Sequence, residues 1–197
     1  MITLYDVAPF YDDSDPVHDI SHVERVLALA ERIAAAEGAD RMVVRTAVLL
    51  HDVSRAEADH EASAVAFARE YLAGHDVHFV NRVVHAIEAH RFSGGPAPQT
   101  LEAQVVFDAD KLDAIGAVGA ARAFAFAGKH GTALWKPVAG EPTAADRIIS
   151  AHHEYRYKLV RIKERLHTMT ARQIAEERHK FMAAFFEQMA REISGEV

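Results

Sequence analysis

The chain has 197 residues, 50% of them hydrophobic and 26% charged, with a formal net charge of -7. That length buries one hydrophobic core well and two poorly, and the apolar content excludes an intrinsically disordered chain. The acidic balance argues against a surface for a nucleic-acid polymer, and the absence of cysteine removes disulfides and thiolate metal ligands. The opening MITLYDVAPFYDDSDP lacks the basic-then-apolar pattern of a secretory signal, and no run reaches the roughly 18 apolar residues of a membrane span. A cytoplasmic protein with no membrane partner is expected.

Apolar spacing is helical almost throughout. Val23, Val26, Leu27, Ala30, Ile33 and Ala34 share one face of a helix that stops near Gly38. Val43, Val44, Ala47, Val48 and Leu50 mark a short, nearly all-apolar helix running into His51-Asp52. A third helix is expected from Glu61 to Leu72, with Asp59 as a cap, and a fourth from Val77 to His90, broken by the turn-forming run Ser93 to Pro98. A fifth begins near Leu101 and continues to about Ala127, with Gly116 and Gly119 permitting close packing. Gly128 to Pro142 is read as a long loop, either a surface connection or a lid. Helices from about Thr143 to His167 and from Thr170 to Ile193 finish the chain, the last with Thr170 and Gln173 as a capping box. With no sustained strand alternation, repeat or low-complexity tract, the expectation is one all-α domain over 1–197, its core motifs within 18–116 and its C-terminal helices over about 143–193.

Thirteen histidines without cysteine point to mixed nitrogen and oxygen ligation at any metal site. His22 lies just ahead of the first apolar stripe. His51 and Asp52 follow Ala47-Val48-Leu49-Leu50 without a break, a costly place for titratable groups unless something binds them. Asp110 interrupts a mostly apolar helix in FDADKLD. Two imidazoles and two carboxylates converging from three helices would hold a divalent ion with open positions.

The pattern His22…His51-Asp52…Asp110 resembles the H…HD…D signature of the HD-domain superfamily of metal-dependent phosphohydrolases. The likeness extends to the surrounding words: His18 to Val26, Ala47 to Val53 and Asp108 to Gly116 resemble the three motifs of that superfamily's small bacterial single-domain branch, and Ala175 to Met182 resembles its last helix. A lone His-Asp pair would be weak; three motifs in order on helices are specific. The resemblance implies that His22, His51, Asp52 and Asp110 bind one divalent cation, Mn²⁺, Mg²⁺, Fe²⁺, Co²⁺ or Ni²⁺, with Zn²⁺ also compatible. Such a cation would polarise a phosphoryl oxygen and acidify a water, so that no protein nucleophile is needed. The absence of a GxSxG elbow agrees with that route.

Neighbouring residues carry two readings each. His18, four before His22, is either a polar residue near the helix cap or faces phosphate, and Arg25 is either a phosphate clamp or an exposed salt-bridge residue. Lys111 is expected to contact phosphate, and Asp113 and Asp52 to handle or orient a proton. Asp108 is read as a helix-surface charge. His60, His85 and His90 matter because some branches of the superfamily hold a second metal with extra histidines. His85 and His90 stand about 140° apart on a helix, and His90, next to the turn, is the better candidate for meeting substrate. His75, His78, His130, His167 and the pair His152-His153 are read as surface or loop residues. Tyr155, Lys158 and Arg161 share one stripe, from which Lys158 could reach substrate, though a salt-bridging face is the plainer account. Trp135 either stacks on a base or anchors its loop.

The expected function is hydrolysis of a phosphate ester or anhydride in a small molecule, plausibly a nucleotide, by pyrophosphohydrolase or phosphomonoesterase chemistry. A di-iron carboxylate oxidase or store would need two Glu-x-x-His helices, and Glu57 to His60 and Glu176 to His179 match that tetrapeptide. A non-catalytic HD sensing module would show a degenerate signature, whereas all four ligand positions are filled here. HExxH is absent, against a thermolysin-like protease. Oligomeric state stays open.

Overall fold

The computed structural model describes residues 2–11, 15, 17–53, 60–91, 95–138, 140, 143 and 148–197, with residues 60–62 as backbone alone. The described residues are all-α, as the apolar spacing predicts: the α-helices are joined by turns, with one isolated bridge between Ala133 and Ser150 and no longer strand. No helix among them is long and apolar enough to cross a membrane.

Two compact units divide the chain. The first takes Met1–Lys111 with Leu166–Ala171, and the second takes Leu112–Arg165 with Arg172–Val197. The first contains α1 (Leu4–Val7), α2 (Ile20–Glu37), α3 (Arg41–Leu50), α4 (His60–Tyr71), α5 (Val77–Glu88) and most of α6 (Leu101–Asp113). Its hub is α3, which packs on α1, α2 and α5. Val43, Val44, Thr46, Ala47, Val48, Leu49 and Leu50 of this ten-residue helix are all buried, which is why its sequence is apolar nearly all round. Aspartates start three helices: Asp19, Asp40 and Asp76 accept backbone N–H groups in the first turns of α2, α3 and α5. Gly38 closes α2 at φ +79°, a left-handed conformation that glycine adopts without strain.

The second unit holds α7 (Gly116–Lys129), α8 (Ala151–Tyr157), a 3₁₀ stretch (Leu159–Arg165) and most of α9 (Met169–Ser194). Three boundaries differ from the expected ones. The helix expected from Leu101 to Ala127 is two, because Ile115 is extended and Gly116 sits at φ +83°, which ends α6 and starts α7 on a new course. The helix expected from Thr143 to His167 is reduced, among the described residues, to α8 and the 3₁₀ stretch. The Ala133–Ser150 bridge holds Ser150 extended, and its hydroxyl accepts from His153 N at 3.0 Å, so α8 cannot begin earlier. The stripe expected for Tyr155, Lys158 and Arg161 therefore spans a helix end rather than one face. Lastly, Thr168, not Thr170, caps α9: its hydroxyl accepts from Ala171 N, while Thr170 N donates to Glu37. Asp59, Glu57, residues 93–94, Pro142 and the side chain of His60 lie outside the described residues.

Candidate metal centre

His22 is the third residue of α2, and the Asp19 cap sets its turn by accepting from His22 N at 3.1 Å. His51 terminates α3 and Asp52 follows in the turn. Both are buried because the helix leading to them is core. His90 occupies the corresponding turn after α5.

The His51 and His90 rings share one device. His51 Nδ1 lies 2.7 Å from the Val48 carbonyl, and His90 Nδ1 lies 2.5 Å from the Ile87 carbonyl. A carbonyl only accepts, so each Nδ1 carries the proton and each Nε2 is left with a lone pair. Those lone pairs turn toward carboxylates: His51 Nε2 is 3.7 Å from Asp52 Oδ2, and His90 Nε2 is 3.8 Å from Asp52 Oδ1. His22 Nε2 lies 3.9 Å from Asp52 Oδ2 and 3.4 Å from Asp110 Oδ1. Donor atoms of His22, His51 and Asp52 fall within 4.8 Å of one another. The rings form a row, with His18–His22, His22–His51 and His51–His90 centroids 5.8, 5.5 and 5.1 Å apart.

This donor set fits a divalent cation. His51 Nε2 is buried and makes no hydrogen bond, a state that costs about 1–3 kcal/mol unless a ligand takes up the lone pair. The carbonyl-anchored Nδ1–H is also the arrangement found behind metal-bound imidazoles. The electrostatics agree. Burial lowers the pKa of His51, and burial, then His51 and Lys111, lowers that of His90 to about 4, so both are neutral and able to donate near pH 7. Burial opposes ionisation of Asp110, but Lys111 and then His22 hold its carboxyl well below the usual range.

The remaining expected residues fall as follows. His18 lies outside α2, ahead of its cap, with Nδ1 3.2 Å from Asp15. Arg25 donates to Ser21 Oγ at 2.9 Å. Lys111 is hydrogen-bonded to the Asp110 carboxylate and stands 5.4 Å over the Phe107 ring. Asp113 belongs to the second unit, where Arg122 donates to it at 2.8 Å, and Lys158 closes α8 there. His85 Nε2 accepts from Gln99 N at 3.1 Å, on the other side of α5 from His90. Trp135 stacks on His152 at 3.6 Å. His152 and His153 are buried, against the surface reading, because Lys136 O and Ile149 N engage their rings. Glu176, needed by the di-iron alternative, is exposed on α9 beside Lys163.

Two residues near the site have structural roles that the sequence reading does not assign. Tyr11 is buried, donates to Leu49 O at 3.0 Å, and has its pKa pushed well up by burial and then by the Asp52 charge. Its hydroxyl thus satisfies a carbonyl at the end of α3, steadying the turn that presents His51 and Asp52. Asp108 is not a surface charge. It is fully buried and accepts from His167 N at 2.9 Å, Thr168 N at 2.7 Å and Thr168 Oγ1 at 2.7 Å. Tyr11 has no local signal. Asp108 has one: it falls three residues after Val105 and four before Leu112, on the buried stripe of α6.

Comparison with known proteins agrees with this geometry. The family model of the HD domain matches residues 19–115, from the cap of α2 to just past α6. The protein YpgQ of Bacillus subtilis is 39% identical over 190 residues, covering 93% of this chain and 88% of YpgQ. A crystal structure of YpgQ in complex with ADP superposes with a TM-score of 0.76 at 33% identity, over 98% of this chain and 99% of that one. A Lactobacillus plantarum structure gives 0.84 at 28% identity over 99% and 100% of the two chains. An HD-superfamily hydrolase from Bacillus thuringiensis gives 0.72 at 29% identity over 97% and 94%. Likeness along nearly the whole chain, joined to a histidine-aspartate cluster where the signature falls, establishes that this protein belongs to the HD-domain family and has the fold of its hydrolases.

Proposed function

We propose that the protein is a cytoplasmic, metal-dependent phosphohydrolase in which His22, His51, Asp52 and Asp110 hold one divalent cation. The observation that carries this is the pair of anchored imidazoles, His51 and His90, whose Nε2 atoms converge with His22 on the Asp52 and Asp110 carboxylates. Bound there, a cation would supply Lewis acidity toward a phosphoryl oxygen and toward a water that attacks it. The chain's own part is to keep the ligands dry, neutral at His51 and charged at Asp110, with Lys111 balancing that charge. His18, just ahead of α2, and Arg25, within it, are the side chains offered to phosphate oxygens.

The substrate is a small phosphorylated molecule, and a nucleotide is favoured because YpgQ has been crystallised with ADP. Pyrophosphate release from a nucleoside triphosphate is preferred over monoester cleavage. A screen of nucleoside mono-, di- and triphosphates with Mn²⁺, Mg²⁺, Co²⁺ and Ni²⁺ tests the reading, with pyrophosphate expected rather than orthophosphate. Asp52→Ala is expected to lose more than the roughly 10–100-fold that removing an outer partner of a metal ligand costs, with its helical circular dichroism unchanged. Full activity without Asp52 would overturn the assignment.

A further inference from the structure

The first unit also holds a cavity of about 610 Å³ where α1, the middle of α3, the end of α4 and the start of α5 meet. That volume is in the range of sites for small molecules, roughly 300–1,000 Å³. Met42 and Thr46 are its lining on α3. At 1.5 Å per residue they stand about 13.5 and 7.5 Å before His51 along the helix axis. The cavity therefore belongs to the other end of α3 from the candidate metal ligands.

Its walls are apolar and aromatic. Thr46 and Leu72 are buried and form the floor, whereas Met42 and Tyr71 are exposed at the rim. The Tyr71 ring is fixed by its neighbours: Phe67 stacks on it at 5.7 Å and Phe10 meets it edge-on at 6.5 Å. Phe79 of α5 adds a second ring, with His75 5.9 Å away. Walls held in this way need little ordering when a ligand arrives.

The charge on the lining decides which ligand fits. Asp6 and Asp76 both border the cavity, and no lysine or arginine among the described residues lines it. Each carboxylate is oriented through one oxygen. Asp6 Oδ2 accepts from Thr3 N at 2.9 Å and from Thr3 Oγ1 at 2.6 Å, and Asp76 Oδ1 accepts from His78 N at 3.0 Å and from Phe79 N at 2.9 Å. The other oxygen of each takes part in none of these bonds. The Thr3 bonds also lower the Asp6 pKa and keep that group charged. Two carboxylates beside aromatic faces attract a cation with an apolar body, since ring faces and carboxylates are both negative. The same charges repel a phosphate ester, the class of molecule expected at the metal centre.

We propose that this cavity binds a small organic cation, an ammonium group carried on an apolar or aromatic body, at a site separate from the metal centre. Benzyltrimethylammonium titrated into the full chain at pH 8, followed by amide NMR shifts, tests it. Saturable shifts centred on α1, Met42 to Thr46 and Tyr71 to Phe79 are expected. Phenylacetate, of similar size and opposite charge, should bind at least about tenfold more weakly. Asp6→Asn with Asp76→Asn removes both charges while asparagine keeps the α5 cap, and should weaken binding about tenfold. Tyr71→Leu keeps the apolar bulk without the ring face and should weaken it about threefold, with unchanged helical circular dichroism. Asp52→Ala, which disables the metal centre, should bind the probe like wild type, so this proposal and the phosphohydrolase reading can fail separately. No saturation, equal binding of phenylacetate, undiminished binding by the double variant or by Tyr71→Leu, or loss of binding in Asp52→Ala overturns the proposal.

Discussion

His90 shows how a buried imidazole ties stability to pH. Its pKa is lowered to about 4, by burial and then by His51 and Lys111, against 6.5 in the unfolded chain. Above pH 6.5 the ring is neutral in both states and its stability contribution is fully present. As pH falls from 6.5 toward 4 the unfolded chain takes up a proton that the folded chain refuses, and about 3 kcal/mol is lost before the effect levels off. Burial shifts His51 the same way. Urea midpoints of metal-free protein should therefore fall between neutral pH and pH 4, and His90→Gln should flatten the slope. A second prediction concerns Asp108, which accepts three hydrogen bonds from His167 and Thr168. Asp108→Asn leaves buried donors facing an amide and should cost about 2–4 kcal/mol in urea unfolding. The four metal-ligand candidates were legible because a polar residue breaking an apolar helix stands out in one dimension. Asp108 breaks the same kind of stripe, between Val105 and Leu112, but its charged neighbours Asp110 and Lys111 give it the look of a surface charge.

Helices here are made by ordinary means, caps and apolar stripes, yet their ends decide where the chemistry lies. The last turn of α3 delivers His51 and Asp52, and Tyr11 from a segment 38 residues earlier closes the Leu49 carbonyl there. The break between α6 and α7 is equally specific. A Cβ at Gly119 would lie 2.3 Å from the carbonyl carbon and oxygen of Ala114, whereas one at Gly128 would meet nothing within 4 Å. Gly119→Ala should thus destabilise the protein by at least about 2 kcal/mol. Gly128→Ala, in the same helix, should be neutral or stabilise by up to about 1 kcal/mol. Thermal melts of the two variants check both signs. Stripe and cap patterns showed that helices exist in these regions. They could not show that Ile115 turns extended, because an apolar residue looks the same inside a helix as at its cap.

Across the whole molecule the chain passes between its two units at Lys111–Leu112, Arg165–Leu166 and Ala171–Arg172, twice within a helix. Splitting the units would mean breaking α6 and α9, so unfolding is expected as one transition, with calorimetric and van't Hoff enthalpies equal. Separate transitions would mark independent domains. A cation at a hundredfold excess over its Kd should add about 2.7 kcal/mol to that transition, EDTA should remove the increment, and Asp52→Ala should abolish it. The amino-acid sequence by itself determined the all-helical class and singled out His22, His51, Asp52 and Asp110 as candidates, because helical period and motif are properties of neighbours along the chain. The tertiary structure alone decided which imidazole nitrogens face the carboxylates, that His90 joins them, and that Tyr11 and Asp108 brace the frame. Those outcomes depend on partners brought together from up to 60 residues away, which no local pattern encodes.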